Sequence, residues 1–240
     1  MKLPKRLKWK HVSALYEAIA PELKASPAKL DSPEAGKVLV LAPHIDDESI
    51  GCGGAIIKHT MQGDPVMAVY FAGCTPERRK EADAAISILG ISEKIFLEYE
   101  DKSLGSHPEI AEKLAATIRE FRPDTVYLPS LFDRHNDHLT VNNYLCVAQK
   151  KSGLDFTVCA YEVWTPLVPN LAIDISAVME RKIKAVSAFK SQTAANDWLA
   201  AVEGLNRFRG ITMACGEYAE CFMRHRASKY RELWEGAFNA

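Results

Sequence analysis

Two short runs in this 240-residue chain concentrate groups that could hold a cation and move protons. The first is Ala42-Pro43-His44-Ile45-Asp46-Asp47-Glu48, which packs three carboxylates and an imidazole into five positions. Crowded carboxylates repel one another unless positive charge compensates them. An imidazole with a carboxylate is a suitable donor pair for zinc. Gly51, Gly53 and Gly54 follow, where the backbone is free to approach a neighbour closely. The same run would also serve as an acidic loop capping a helix N-terminus, and its spacing alone does not separate the two. The second run is Asp133-Arg134-His135-Asn136-Asp137-His138. Its histidines at i and i+3 share one side of a turn, so one could bind metal while the other is held for catalysis. Taken by itself, a pair of surface histidines accounts for it equally well.

The elements around these runs bring them to equivalent places. Residues 37–42 form a short Val/Leu run that reads as a strand buried on both faces. Residues 43–54 read as the loop that follows, and 55–62 as a helix. Further strands are expected at 66–71, 94–97, 125–128, 158–163 and 171–175. Helices are expected at 78–89, 108–121, 139–150, 176–189 and 195–207, with a mixed tail from 219. Strands alternating with helices predict an α/β fold: a mostly parallel, Rossmann-like sheet with helices on both faces. Such sheets bind ligands beyond the carboxyl ends of their strands. Both runs begin there, after 37–42 and after 125–128, so they could converge. Two imidazoles and one carboxylate on zinc leave a coordination position for water, the mark of a catalytic site.

The runs APHIDDESIGCGG and DRHNDH resemble the two signature motifs of the PIG-L/LmbE-like de-N-acetylases. Arg78-x-x-Glu81 with Leu89-Gly90, Tyr161-Glu162-Val163-Trp164 with Pro169-Asn170, and Ser191-Gln192 after Lys184 extend the resemblance over roughly residues 37–225. The resemblance implies a zinc-dependent amidohydrolase that removes an acetyl group from an N-acetylated small molecule, an N-acetylglucosamine-type sugar or glycoconjugate. It implies one zinc ion per chain, held by His44, Asp47 and His138. Asp46 matches the general base. His135 matches the histidine that assists the tetrahedral intermediate, as a protonated ring, and Asp137 matches its orienting partner. Arg78 matches an arginine at the substrate. Relatives of that family often form homo-oligomers. Two departures stand out: Ile45 replaces a usual proline, and the segment 73–76 is shorter than the Gly-rich rim loop of many relatives.

Composition narrows the alternatives. Apolar residues at 48% and charged residues at 25% are ordinary for a globular chain and exclude disorder. A formal net charge of -1 supplies no basic field for nucleic acid. The basic cluster Lys2, Lys5, Arg6, Lys8 and Lys10 reads as a solvated end. No apolar run approaches the ~18–20 residues of a membrane span, and no secretory apolar core follows the basic start. A cytoplasmic location without a membrane span is therefore expected. The six scattered cysteines, without a CxxC pair, read as reduced, buried thiols. Residues 1–36 are expected to form an N-terminal helical extension and linker, and 37–240 a single α/β domain. A nucleotide-binding Rossmann-like module is the weaker alternative, because Gly51-Cys52-Gly53-Gly54 is not GxGxxG and no ribose-binding acid ends the second strand. A magnesium phosphohydrolase is disfavoured by histidine donors. A non-catalytic metal-binding module has the same donors.

Overall fold

The computed structural model describes residues 8–20 and 27–238. Lys2, Lys5 and Arg6 of the basic cluster lie outside them.

The sheet grows outward from β2 (Val38–His44), every residue of which is buried. To one side lie β3 (Val66–Ala72) and β4 (Glu93–Tyr99), and to the other β5 (Thr125–Pro129) and β6 (Thr157–Tyr161), all parallel. The chain therefore winds out to β4 and returns to pair β5 with β2. This reversal leaves a crevice at the carboxyl ends of β2 and β5, where open α/β sheets bind ligands. Beyond β6 comes β8 (Ala219–Arg226), antiparallel to β6 and to β7 (Leu171–Asp174), with β1 (Ala28–Leu30) parallel to β7. The full order is β1-β7-β8-β6-β5-β2-β3-β4.

Helices cover both faces, as a doubly buried sheet requires. On one face α1 (Trp9–Ile19), α4 (Ile110–Phe121), α5 (Asn136–Ser152) and α9 (Ala227–Phe238) share a core with Leu39, Leu41, Val126 and Val158. On the other, α2 (Asp47–Met61), α3 (Pro76–Leu89), α6 (Met179–Ser187) and α8 (Trp198–Met213) pack on Val38, Val40, Tyr70 and Tyr127. The short α7 (Lys190–Thr193) bridges α6 and α8.

Three segments differ from the sequence expectation. The helix after β2 starts at Asp47, inside the stretch read as loop. Asp47 and Glu48 occupy its first turn, where carboxylates complement the helix dipole. Two of its glycines do permit the close approach expected of them, though within the helix: a Cβ at Gly51 would lie 2.1 Å from the Tyr161 ring, and one at Gly54 2.6 Å from Ile175. Ala28–Leu30, within the stretch read as connector, joins the sheet edge. The mixed tail resolves into β8 and α9. In the N-terminal stretch, α1 lays the His11 ring on Phe238 at 5.1 Å and buries Leu15 and Ile19.

Candidate active site

Two turns close over the crevice. Strand β2 runs through His44, and α2 begins three residues later, so Asp46 must turn the chain sharply. It does so at φ 143°, ψ -24°, a region that costs a non-glycine residue about 1–3 kcal/mol. The backbone N–H of His44 donates to Asp47 Oδ2 at 2.8 Å, which fixes that carboxylate under the strand end. The second turn leaves β5 through Ser130. His135 caps α5, its Nδ1 accepting from the backbone N–H of Asp137 at 3.3 Å. Asn142, one turn beyond His138, donates to the carbonyls of Pro129 and His138 and accepts from Tyr230 on α9.

Three donor atoms converge where these turns meet. His44 Nδ1 lies 3.2 Å from Asp47 Oδ2, His138 Nε2 lies 3.1 Å from the same oxygen, and the two nitrogens are 3.3 Å apart. With metal–ligand bonds of about 2.0–2.1 Å, a tetrahedron has edges of about 3.3–3.4 Å. The triangle has the size of one tetrahedral face.

The outer ring nitrogens explain why the inner ones present lone pairs. His44 Nε2 lies 3.0 Å from Asp101 Oδ1 and 3.2 Å from Asp137 Oδ2, which places its proton on Nε2. His138 Nδ1 faces buried Asp133 Oδ2 at 3.3 Å, an ion-pair distance without hydrogen-bond alignment. Burial lowers the His44 pKa, but Asp101, Asp137 and Asp47 outweigh it and push it up to about 12. For His138, burial is likewise outweighed by Asp47 and Asp133, giving about 9. Burial would raise Asp47, yet His138 and His44 hold it far below the usual carboxylate range. The hydrogen bond from His44 pulls Asp101 down to about 2. The cluster calls for positive charge at its centre, which a divalent metal ion at the three donors would supply.

Asp46 and His135 flank this triangle. Asp46 lines the cavity beside Arg78. Burial first, then neighbouring Asp47, lifts its pKa well above the carboxylate range, with Arg78 opposing. The His135 ring meets that of His44 edge-on at 4.7 Å. Burial and the adjacent His138 and His44 lower its pKa. With Nδ1 accepting from the backbone N–H of Asp137, Nε2 is the ring nitrogen left to act in the cavity. Asp137 differs from expectation. Its carboxylate accepts from His44 Nε2 and from the backbone N–H of Lys102 at 2.8 Å, and only its backbone touches His135.

The cavity over these groups is about 140 Å³ and continues to Trp164, Gln192, Asn196 and Trp198. Larger hollows lie between α5 and α9 and beside β3 and β4, away from the imidazoles. Asp101 had no motif to announce it. It follows β4 in the same sheet, and that carboxyl-end position was the available signal. His59 and His107 lie outside the cluster, His59 paired with Asp64 and Tyr127 and His107 with Glu109. Glu48 is fully buried in the first turn of α2 and accepts from Ser49. Cys52, also buried, sits at a break in α2, and burial raises its thiol pKa, so it is not a poised nucleophile.

The family model described as PIG-L, GlcNAc-PI de-N-acetylase, matches residues 39–148, which span both turns. A diacetylchitobiose deacetylase from Thermococcus kodakarensis is 28% identical over 214 residues, covering 76% of this chain and 80% of that protein. The conserved protein TT1542 from Thermus thermophilus superposes with a TM-score of 0.71 at 29% identity, over 78% of this chain and 93% of its own. The 4-carboxy-2-hydroxymuconate hydratase GalB from Pseudomonas putida gives a TM-score of 0.62 at 25% identity, over 80% and 96%. The fold thus serves more than one reaction, whereas the matched sequence carries both motif turns: the chain matches the PIG-L (LmbE-like) de-N-acetylase family over residues 39–148.

Proposed function

We propose that this protein is a zinc-dependent hydrolase that removes the acetyl group from an N-acetylated, glucosamine-type sugar. The observation that carries the reading is the triangle of His44, Asp47 and His138, with Asp46 and His135 beside it. The family match and the similarity to the deacetylase from Thermococcus kodakarensis support the reaction class. Zinc, when bound, polarises the acetamide carbonyl and lowers the pKa of a coordinated water to about 7.

The chain's own groups divide the proton work. Asp46 takes the proton of the attacking water. Its place beside the three converging donors, opposite Arg78, lets it hold that proton for the leaving amine. His135 directs its Nε2–H at the carbonyl oxygen as negative charge builds there. Asp46 then returns the proton to the leaving nitrogen. Asp137 and Asp101 hold His44 in the tautomer that ligates through Nδ1, and Asp133 does the same for His138. Arg78, the one cation lining the cavity among the described residues, engages the sugar.

The hydratase among similar structures favours a second reading, water addition to a carboxylated enol. A carboxylated substrate would meet Asp46, Asp47 and Asp101 with Arg78 alone to balance them. The test is metal analysis of the purified chain together with acetate release from N-acetylglucosamine and N,N'-diacetylchitobiose, with and without chelator. Bound zinc and chelator-sensitive acetate are expected. Bound zinc without acetate from either sugar would overturn the reading.

A further inference from the structure

Helix α8 is apolar on two opposite sides, although only one of them meets the fold. Its inner face is fully engaged. Val202 joins the core on that side of the sheet, and Arg209 pairs with buried Glu162. Asn206 accepts from Lys182 and donates to the Ala219 carbonyl. A Cβ at Gly210 would lie 2.4 Å from the Glu217 carbonyl oxygen, so the helix sits as close as its backbone allows. The outer face is where a surface helix carries its charge. Here Ala201, Gly204, Phe208 and Ile211 occupy it instead, spaced three and four apart so that they form one stripe. Phe208 is 56% exposed and Ile211 67%, two large apolar side chains left in water on one helix.

Gly204 is an independent sign. In a helix interior, glycine costs about 0.8–1 kcal/mol relative to alanine. At Gly51, Gly54 and Gly210 the fold supplies a reason, because a Cβ would strike a neighbour. A Cβ at Gly204 would meet nothing within 4 Å. The gap this glycine leaves lies outside the chain's own contacts, one turn from Phe208.

We infer that the outer face of α8 docks a second copy of this chain, the two helices running antiparallel about a twofold axis level with Asn206. A twofold interface must be self-complementary, residue i meeting j while j meets i. With the axis at Asn206, Gly204 of one copy stands opposite Phe208 of the other, and Ala201 opposite Ile211. Each large side chain then enters the space over a small one. A parallel pair would set Phe208 on Phe208 and leave Gly204 facing Gly204. Charge selects the same arrangement. Glu203 and Arg207 lie one turn apart along one border of the stripe. Antiparallel packing brings Glu203 of each copy toward Arg207 of the other, whereas parallel packing opposes like charges. The same register sets Ala214 of one copy level with Trp198 of the other, at the lip of the cavity. The surface does not depend on which reaction the cavity performs.

The test is sedimentation equilibrium of the purified full chain across the micromolar range, where monomer and dimer are expected in exchange. Ile211→Glu would bury two unpaired carboxylates and should raise the dimer dissociation constant by about 100-fold or more. Gly204→Leu should move two readouts in opposite directions. Leucine is the better helix former and has room in the monomer, so urea denaturation of the dilute protein should show no loss of stability. The dimer dissociation constant should nonetheless rise by at least about tenfold, because the gap is filled. Adding Phe208→Ala to Gly204→Leu exchanges small and large and should recover most of the association. A chain that stays monomeric throughout, or a dimer indifferent to both single variants, overturns the surface. Association lost in Gly204→Leu and not recovered in the double variant overturns the antiparallel register.

Discussion

Helix α2 begins in one cluster of buried charge and, seven residues on, rests against another. At its start, Asp47 meets His44 and His138, with Asp46, Asp101, Asp133 and Asp137 around them. At Gly54 and Ala55, beyond the break at Cys52, Glu220 of β8 accepts two backbone N–H groups at 2.7 Å each. Lys182 of α6 donates to the same carboxylate at 2.6 Å and to Asn206 at 2.8 Å. The second cluster is closed: one cation, one anion, and a hydrogen bond for nearly every polar atom. The first is open: carboxylates outnumber the groups that could balance them, and three lone pairs point at one spot. Buried charge that is internally balanced holds a fold together; buried charge that lacks a counter-ion specifies a ligand.

Four variants would sharpen or break that contrast. The largest effect is expected at Asp46. Asp46→Asn should lower acetate release by about 10²–10⁴-fold while metal content, measured by emission spectrometry, stays near one ion per chain. Near-normal turnover would remove Asp46 from proton transfer. Next comes the closed cluster. Glu220→Ala strands the Lys182 ammonium, and urea denaturation should show a loss of about 3–5 kcal/mol. The double change Glu220→Leu with Lys182→Met should recover most of it, whereas no single replacement among the open cluster's imidazoles should be repaired by an apolar partner. Third, Asp137→Asn leaves His44 in place but weakens its support, and zinc affinity by competitive chelation should fall about 10–100-fold. The smallest effect belongs to Asp101→Asn. Its side chain touches the same nitrogen of His44 but is 48% exposed, so solvent screens it and the affinity should change by less than about tenfold. Equal effects at Asp101 and Asp137 would show that burial is not what distinguishes the two carboxylates.

Much of this was legible in the residues because it is local. Strands β2, β3 and β5 announce themselves as short apolar runs, and both chemical turns sit directly after such a run. What escaped is what depends on contacts distant in sequence. Gly51 and Gly54 promised a close approach, but nothing nearby in the chain named Tyr161 and Ile175 as the neighbours or set it within a helix. Asp137 was expected beside its sequence neighbour His135, but the turn of α5 swings its carboxylate across to His44, 93 residues away. The motif also gave no sign that His135 Nδ1 would be engaged in capping α5. Lys182 and Glu220 are ordinary residues in an amphipathic helix and a strand, and no spacing rule joins them. The three-residue β1 is too short to show a period, and it borrows its conformation from the edge of β7.

The antiparallel β8 has a consequence for how the molecule is made. The turns that carry the histidine and aspartate donors lie within the first 138 residues and can come together while later segments are still being synthesised. Yet β6 and β7 flank an empty slot until residues 219–226 leave the ribosome and slide between them. A nascent chain paused before that point exposes two unpaired strand edges, the surfaces most prone to join another chain. Insertion of β8 also delivers Glu220 to α2. Completion of the sheet and bracing of the helix that bears Asp47 are thus one late event in the life of the polypeptide.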